Sequence, residues 1–107
     1  SARNQFAGTI RSVEVGPATS QATVAIGGGL EIVAALTTAS ATRLRLAVGQ
    51  EAIALVKASE VVLATDLAGW RLSSRNQLEG IVSRVAKGAT TSLVGLALPG
   101  GAQVTAS

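Results

Sequence analysis

Short runs of apolar and β-branched residues, separated by glycine, dominate the first part of the chain. The first run covers residues 5–15 and ends at Gly16-Pro17, while residues 21–26 and 30–36 form two runs joined by three glycines, Gly27 to Gly29. Runs of this length and composition predict strands, because β-branched residues suit a pleated surface. Two such runs joined by glycines predict a hairpin.

The period of the pattern changes after the third run. Ser40 can cap a short helix that runs through Arg43 to Leu46, and the chain is predicted to turn at Gly49. Two more apolar runs, at residues 52–57 and 61–64, predict a fourth and a fifth strand. Gly8 predicts a bend in the first strand. Five short strands with a helix between the third and the fourth have the order of an oligonucleotide/oligosaccharide-binding (OB) barrel, so the sequence predicts an all-β, OB-fold-like barrel with one short helix.

The chain also repeats itself at an offset of 72 residues. Ser1-Ala2-Arg3-Asn4-Gln5 returns as Ser73-Ser74-Arg75-Asn76-Gln77, and residues 1–35 align with residues 73–107 without a gap. A repeat of this kind predicts a duplicated structural unit. We therefore expect a first unit at residues 1–65, a linker at residues 66–72, and the first half of a second unit at residues 73–107.

The repeat carries expectations about packing. The second unit should have strands at residues 77–86, 93–98 and 103–106, and its open sheet should be completed by another chain or by residues outside this sequence. A linker of seven residues spans at most about 25 Å, so the two units should pack together, with Trp70 buried between them. Asn4 and Gln5 are interpreted as structural residues that satisfy backbone groups where the units meet.

Composition excludes several classes of function. Cysteine and histidine are absent, which excludes disulfides, thiolate or imidazole metal sites and a nucleophile activated by histidine. The six carboxylates are scattered singly, so neither paired acid–base catalysis nor a hard-cation cage is indicated. We expect a binding protein and not an enzyme. No run approaches the roughly 20 apolar residues of a membrane helix, and a cytoplasmic protein is expected.

Charge favours a small anion as the partner. Nine Lys and Arg residues against six Asp and Glu give a net charge of +3, and Phe6 and Trp70 are the only aromatic residues. Binding of single-stranded nucleic acid uses aromatic side chains on which bases stack, so nucleic acid is a weak candidate.

Hydrogen-bond donors stand at the ends of the predicted strands. Arg3, preceded by Ser1, begins the first strand, Thr37 and Ser40 follow the third, and Lys57 ends the fourth. A site made only of donors favours an oxyanion without a proton, because hydrogen phosphate needs an acceptor for its proton. The residues themselves indicate no more than a tetrahedral dianion. Each also has an ordinary explanation: a strand charge for Arg3 and Lys57, a helix cap for Ser40 and a strand hydroxyl for Thr37.

The chain resembles the Mop domain, a TOBE-type domain that binds molybdate or tungstate. The resemblance rests on the Ser-Ala-Arg-Asn-Gln motif, on Leu36-Thr37-Thr38-Ala39-Ser40, on Gly49, on Val56-Lys57-Ala58, and on Gly69-Trp70-Arg71-Leu72 before the second copy of the motif. It implies tandem OB-like barrels that bind the oxyanion between units of a homo-oligomer, a dimer or a trimer. The residues that it implies as oxyanion ligands are Ser1, Arg3, Thr37, Ser40, Lys57, Ser73 and Arg75.

Three functions remain open at this stage. The leading hypothesis is a molybdate-binding module, either a buffer for intracellular molybdenum, as in molbindins, or the sensor part of a molybdate-responsive transcription regulator. In a regulator, DNA would be bound by a domain absent from this chain. The alternatives are an OB-type module for single-stranded nucleic acid and a structural TOBE oligomerisation domain of a transporter ATPase.

Overall fold

The structure is a computed structural model that describes residues 3–66 and 68–107 and, for Arg3, the backbone only. The elements of the first unit are β1 (Arg3–Val15), β2 (Thr19–Gly27), β3 (Leu30–Thr37), α1 (Thr38–Arg43) and β4 (Glu51–Lys57), followed by a 3-10 turn at Ala58–Glu60. The four strands form one antiparallel sheet in the order β3-β2-β1-β4. The predicted all-β fold with one short helix is confirmed, and so is the hairpin over the three glycines.

β1 holds this sheet together because it pairs with two different strands. Its first half, from Arg3 to Thr9, pairs with β4, and its second half, from Thr9 to Val15, pairs with β2. The irregularity in its register lies between Ile10 and Ser12 and not at Gly8. Gly8 instead lies where β2 crosses closely, since a Cβ atom there would collide with the carbonyl oxygen of Ala25.

The helix is shorter than predicted and has a different cap. It ends at Arg43, and Thr37, not Ser40, is the N-cap residue: the Oγ1 atom of Thr37 accepts a hydrogen bond from the backbone N–H of Ser40 at 3.1 Å. The predicted turn at Gly49 is confirmed. Gly49 has a φ of +91°, and its N–H donates to the carbonyl oxygen of Ile10 at 2.8 Å.

The second unit contains β5 (Ile81–Lys87), β6 (Ser92–Ala97) and β7 (Gln103–Ala106), with a 3-10 turn at Pro99–Gly101. They form an antiparallel sheet in the order β5-β6-β7. β5 begins at Ile81, later than predicted. The missing part corresponds to the half of β1 that pairs with β4, and the described second unit has no counterpart of β4. Without a partner on that side, residues 77–80 do not form a strand.

The predicted fifth strand is also absent from the described residues. Residues 61–64 have no regular structure. The preceding turn contacts β7 of the second unit, where the N–H of Ser107 donates to the carbonyl oxygen of Ala58 at 3.0 Å. The chain therefore leaves the first sheet at the end of β4, and residues 61–64 find no strand to pair with.

The hydrophobic core lies between the two units. Phe6 and Ile32 of the first unit and Leu98 and Val104 of the second form one buried cluster. The prediction that the units pack together is thus confirmed. The prediction for Trp70 is wrong, since that residue is 71% exposed. The contact is built from strands and hairpins of both units, and the segment that carries Trp70 runs along the surface. We call this contact between the two units the seam.

Two features are absent from the described residues. None of the helices there is long and apolar enough to cross a membrane. The same residues contain no cluster of three or more acidic, histidine or cysteine side chains that could hold a metal ion.

Candidate oxyanion site

The predicted ligand residues of the first unit fall into two separate groups. Arg3 and Lys57 are directly opposite each other in the register of β1 and β4, and Lys57 is exposed. Thr37 and Ser40 lie where β3 passes into α1. The two residues of each group are neighbours. The two groups lie at opposite edges of the sheet, which are formed by β3 and β4, so they do not meet within the unit. Ser1 lies outside the described residues.

The group at the end of β3 is a compact set of donors. The Thr37 hydroxyl donates to the Oγ atom of Ser40 at 2.9 Å. The Nη2 atom of Arg43 approaches the same Oγ atom at 3.5 Å. Since the Ser40 oxygen accepts on one side, its own proton is free to donate outward. Arg43 was not among the predicted residues, although its spacing of three from Ser40 on a helix could have indicated the contact.

An arginine of the second unit reaches the same edge of the first unit. The Nη1 atom of Arg75 donates to the Oε1 atom of Gln21 at 2.7 Å. Gln21 lies on β2 opposite Ala35, and Thr19, two residues earlier on the same face, lies opposite Thr37. Two residues of a strand span roughly 7 Å, so Gln21, the partner of Arg75, lies about that far along β2 from the residue that pairs with Thr37. Ser73, two positions before Arg75, is exposed.

The asparagine after this arginine fixes the contact. Asn76 binds both backbone groups of Val33 on β3: its Oδ1 atom accepts from the N–H at 2.7 Å, and its Nδ2 atom donates to the carbonyl oxygen at 2.9 Å. Asn4 does the same to Thr105 on β7, at 2.7 Å and 2.9 Å. Asn4 and Asn76 differ by 72 positions, and so do Val33 and Thr105. The seam therefore repeats one contact in both directions.

The turns between strands also make equivalent contacts from the two units. Gly28 in the β2–β3 turn approaches Pro99 and Gly100 in the β6–β7 turn so closely that a Cβ atom on Gly28 would collide with the carbonyl oxygen of Pro99. A Cβ atom on Gly100 would lie 2.8 Å from the backbone nitrogen of Gly28. Because Gly28 and Gly100 are themselves equivalent in the repeat, a pseudo-two-fold axis passes close to them.

This symmetry determines which predicted residues can meet. The segment that carries Asn4 in the first unit and Asn76 in the second lies against the third strand of the other unit. Arg75 therefore binds the β2–β3 edge of the first unit at Gln21, whereas Asn4 and Ala58, the chain neighbours of Arg3 and Lys57, bind the end of the second unit at Thr105 and Ser107. The resemblance implies ligands from different units, but the repeat alone does not reveal which residues of one unit contact the other.

A family model described as the TOBE domain matches residues 1–63. Among curated proteins, the molybdenum transport protein ModE of Herbaspirillum seropedicae is 62% identical over 107 residues, which cover 100% of this chain and 40% of that protein. The molybdenum-pterin-binding protein MopB of Rhodobacter capsulatus is 38% identical over 107 residues, again covering 100% of this chain and 40% of that protein. The chain thus spans about two fifths of the length of these relatives.

Among solved structures, the cytoplasmic molybdate-binding protein ModG, crystallised with molybdate bound, superposes with a TM-score of 0.93 at 43% identity, covering 99% of this chain and 75% of that one. MopII from Clostridium pasteurianum superposes with a TM-score of 0.57 at 31% identity, covering 61% of this chain and 97% of that one. The family match over more than half of the chain, together with the likeness to ModG, shows that the chain belongs to the TOBE domain family.

Proposed function

We propose that the chain binds molybdate, or the similar oxyanion tungstate, at the seam between its units. The observation that carries the proposal is the bond from Arg75 of the second unit to Gln21, because it holds a permanent cation on the β2–β3 edge of the first unit, whose third strand ends at Thr37. The names of the relatives support it, since ModE and MopB are named for molybdenum and the ModG structure contains molybdate.

The chemistry of the donors suits a dianion without a proton. Arg75 presents further N–H donors besides the one that binds Gln21, and Ser40 has a hydroxyl proton to give. Exchanging the neutral Gln21 oxygen for an oxyanion would bring two opposite charges into contact and would allow the planar guanidinium to bind two anion oxygens at once. Ser73, which is exposed two residues before Arg75, is proposed as an additional donor.

The other end of the seam is proposed as the equivalent site. Arg3 and Lys57 are adjacent across the sheet, and two neighbouring cations repel each other until a dianion lies between them. Ser1 would add a hydroxyl there, as Ser73 does at the first site. At this end the start of the first unit lies against β7 of the second unit, where Asn4 binds Thr105.

We also propose the wider setting of this activity. The chain would act in the cytoplasm as a binding module of a homo-oligomer, a dimer or a trimer, and not as an enzyme. ModG, which is described as cytoplasmic, supports the location. The module would serve either molybdenum buffering or ligand sensing in a regulator, since a DNA-binding transcriptional regulator, ModE of Escherichia coli, is 35% identical over 108 residues. DNA would then be bound by another part of that protein.

Isothermal titration of the 107-residue chain with molybdate tests the proposal. We expect saturable binding that Arg75→Gln weakens at least about tenfold, since a hydrogen bond to a charged group contributes roughly 1.5–3 kcal/mol. Arg11→Gln is the matched control, because Arg11 is an exposed arginine bound to Glu31 at 2.7 Å. Absence of heat with molybdate, together with an unchanged melting temperature, would reject the proposal. Binding that Arg75→Gln leaves intact would reject this site and show that molybdate binds elsewhere on the chain.

A further inference from the structure

We propose that Asn76 is a positioning residue that holds Arg75 at the oxyanion site, because its side chain hydrogen-bonds to the free edge of β3 as a neighbouring strand would. This inference rests on the proposed function. The inference goes beyond that function in two ways. It assigns the geometry of the site to a residue that does not itself touch the anion. It also makes docking of the units and binding of the anion parts of one equilibrium.

The hydrogen bonds of Asn76 resemble those of a neighbouring strand. β3 is an edge strand of the first sheet, so one side of its backbone has no strand partner. Asn76 binds the N–H and the carbonyl oxygen of the same residue, Val33, as a strand residue does in a hydrogen-bonded antiparallel pair. Two bonds to one peptide segment fix the Asn76 side chain in position and in rotation.

Asn76 and Arg75 bind neighbouring residues of the first sheet. Val33 is two residues from Ala35 on β3, and Ala35 lies opposite Gln21, the partner of Arg75. Among the described residues, the hydrogen bonds from residues 71–80 to the first unit come from Arg75 and Asn76 alone. If the Asn76 contact were lost, the one remaining hydrogen bond from these residues to the first unit would be that of Arg75 to the half-buried Gln21 side chain.

The other hydrogen bonds of the segment shape the backbone around Arg75 but do not attach it to the first unit, to which Leu78 adds only apolar packing against the core. Gln77 donates to the carbonyl oxygens of Ser74 at 2.7 Å and Leu72 at 3.2 Å, and the Ser74 hydroxyl donates to the carbonyl oxygen of Asn76 at 3.1 Å. These bonds close a turn on itself. The turn keeps its own shape, and Asn76 determines where it lies on β3.

Such an attachment affects affinity through order. An arginine held near its bound position loses little conformational freedom when the anion arrives, whereas a free arginine must be ordered at that moment. Asn4 makes the matching contact for Arg3, but Asn4 is 6% exposed and belongs to the core. Asn76 is exposed, and its removal leaves the core intact, so it is the better residue for a test.

The test compares Asn76→Ala, Arg75→Gln and the double variant by titration with sodium molybdate. We expect Asn76→Ala to raise Kd about tenfold, the effect of losing a preorganised contact, and the double variant to bind no more weakly than Arg75→Gln. Ser83→Ala is the control, because it removes a side-chain bond to a backbone carbonyl, that of Gly95 at 3.3 Å, within the second unit. It should bind like the unaltered chain. Unchanged affinity in Asn76→Ala, or losses that multiply in the double variant, would overturn the inference.

A second measurement needs no ligand. The ¹⁵N relaxation of the Arg75 Nε–H group reports the mobility of that side chain, and we expect Asn76→Ala to increase it while Ser83→Ala does not. If the chain failed to bind molybdate, the proposed function would fall, and this measurement would still decide whether Asn76 positions Arg75. Should Asn76→Ala not fold, Asn76→Ser replaces it, since serine is too short to reach both backbone groups of Val33.

Discussion

Asn4 and Ser20 are the buried polar side chains of the described core, and each has a hydrogen-bond partner. For Asn4 the partner is the backbone of Thr105 in the other unit, bound at both its N–H and its carbonyl oxygen. A buried amide with both of its polar ends satisfied is tolerated, but removal of one side leaves buried groups without partners.

We therefore predict that Asn4→Ala lowers the free energy of unfolding by about 1–3 kcal/mol, the cost of leaving such groups unpaired. Urea denaturation of the 107-residue chain measures the change. Gln5→Ala is the control, since Gln5 is the exposed neighbour and substitutions at the surface usually change stability by less than about 0.5 kcal/mol. Equal urea midpoints for Asn4→Ala and the unaltered chain would show that the hydrogen bonds between Asn4 and Thr105 do not stabilise the seam.

Residue roles were predictable where the repeat itself carries them. The structural interpretation of Asn4 is confirmed, because an amide that recurs with the motif belongs to the contact between units. The cap at Ser40 was wrong for a local reason: two hydroxyl residues three apart both suit a cap, and only the observed start of α1 at Thr38 selects Thr37. The prediction that Trp70 is buried was wrong, because burial of this residue depends on the path of the linker, which the composition of the linker does not specify.

At the scale of elements, pairing decides which predicted strands form. The fourth run became β4 because the first half of β1 pairs with it. Residues 61–64 have the same apolar composition but leave the first sheet, and residues 77–80 repeat β1 without a β4 to pair with. Strand propensity is similar in β4, in residues 61–64 and in residues 77–80. The sequence pattern therefore predicts a strand in all three segments and does not show which of them lack a pairing partner.

Hydrogen exchange should reveal this difference between equivalent segments. We predict that, within residues 4–8, the alternate backbone amides that bond to β4 exchange slowly, whereas the amides of residues 76–80 exchange close to the rate of an open chain. Exchange follows local opening, which is easiest where backbone hydrogen bonds to a neighbouring strand are missing. Amide exchange followed by NMR on the 107-residue chain measures both. Equal protection would show that residues 76–80 are paired in solution.

At the scale of the whole molecule, the pseudo-two-fold contact offers a direct test. Gly28 and Gly29 both have positive φ, +62° and +75°, but only a Cβ atom on Gly28 would meet the second unit. Alanine in the left-handed region costs roughly 1–2 kcal/mol, which both substitutions share. We predict that Gly28→Ala loses a further 1–3 kcal/mol or so, the usual cost of overpacking. Thermal and urea unfolding compare the two variants, and equal losses would mean that the turns do not touch in solution.

The same pair of variants links the architecture to the proposed activity. Neither glycine lies among the proposed ligand residues, yet Gly28→Ala should push the second unit, and Arg75 with it, away from Thr37 and Ser40. Molybdate at about 100 times its Kd should stabilise the folded chain by roughly 2.7 kcal/mol, because it binds only the folded state. We predict that Gly29→Ala keeps this stabilisation and that Gly28→Ala loses most of it, as measured by melting temperature with and without molybdate and with sulfate as the competing dianion. A full response in Gly28→Ala would show that the anion binds within one unit, independently of the seam.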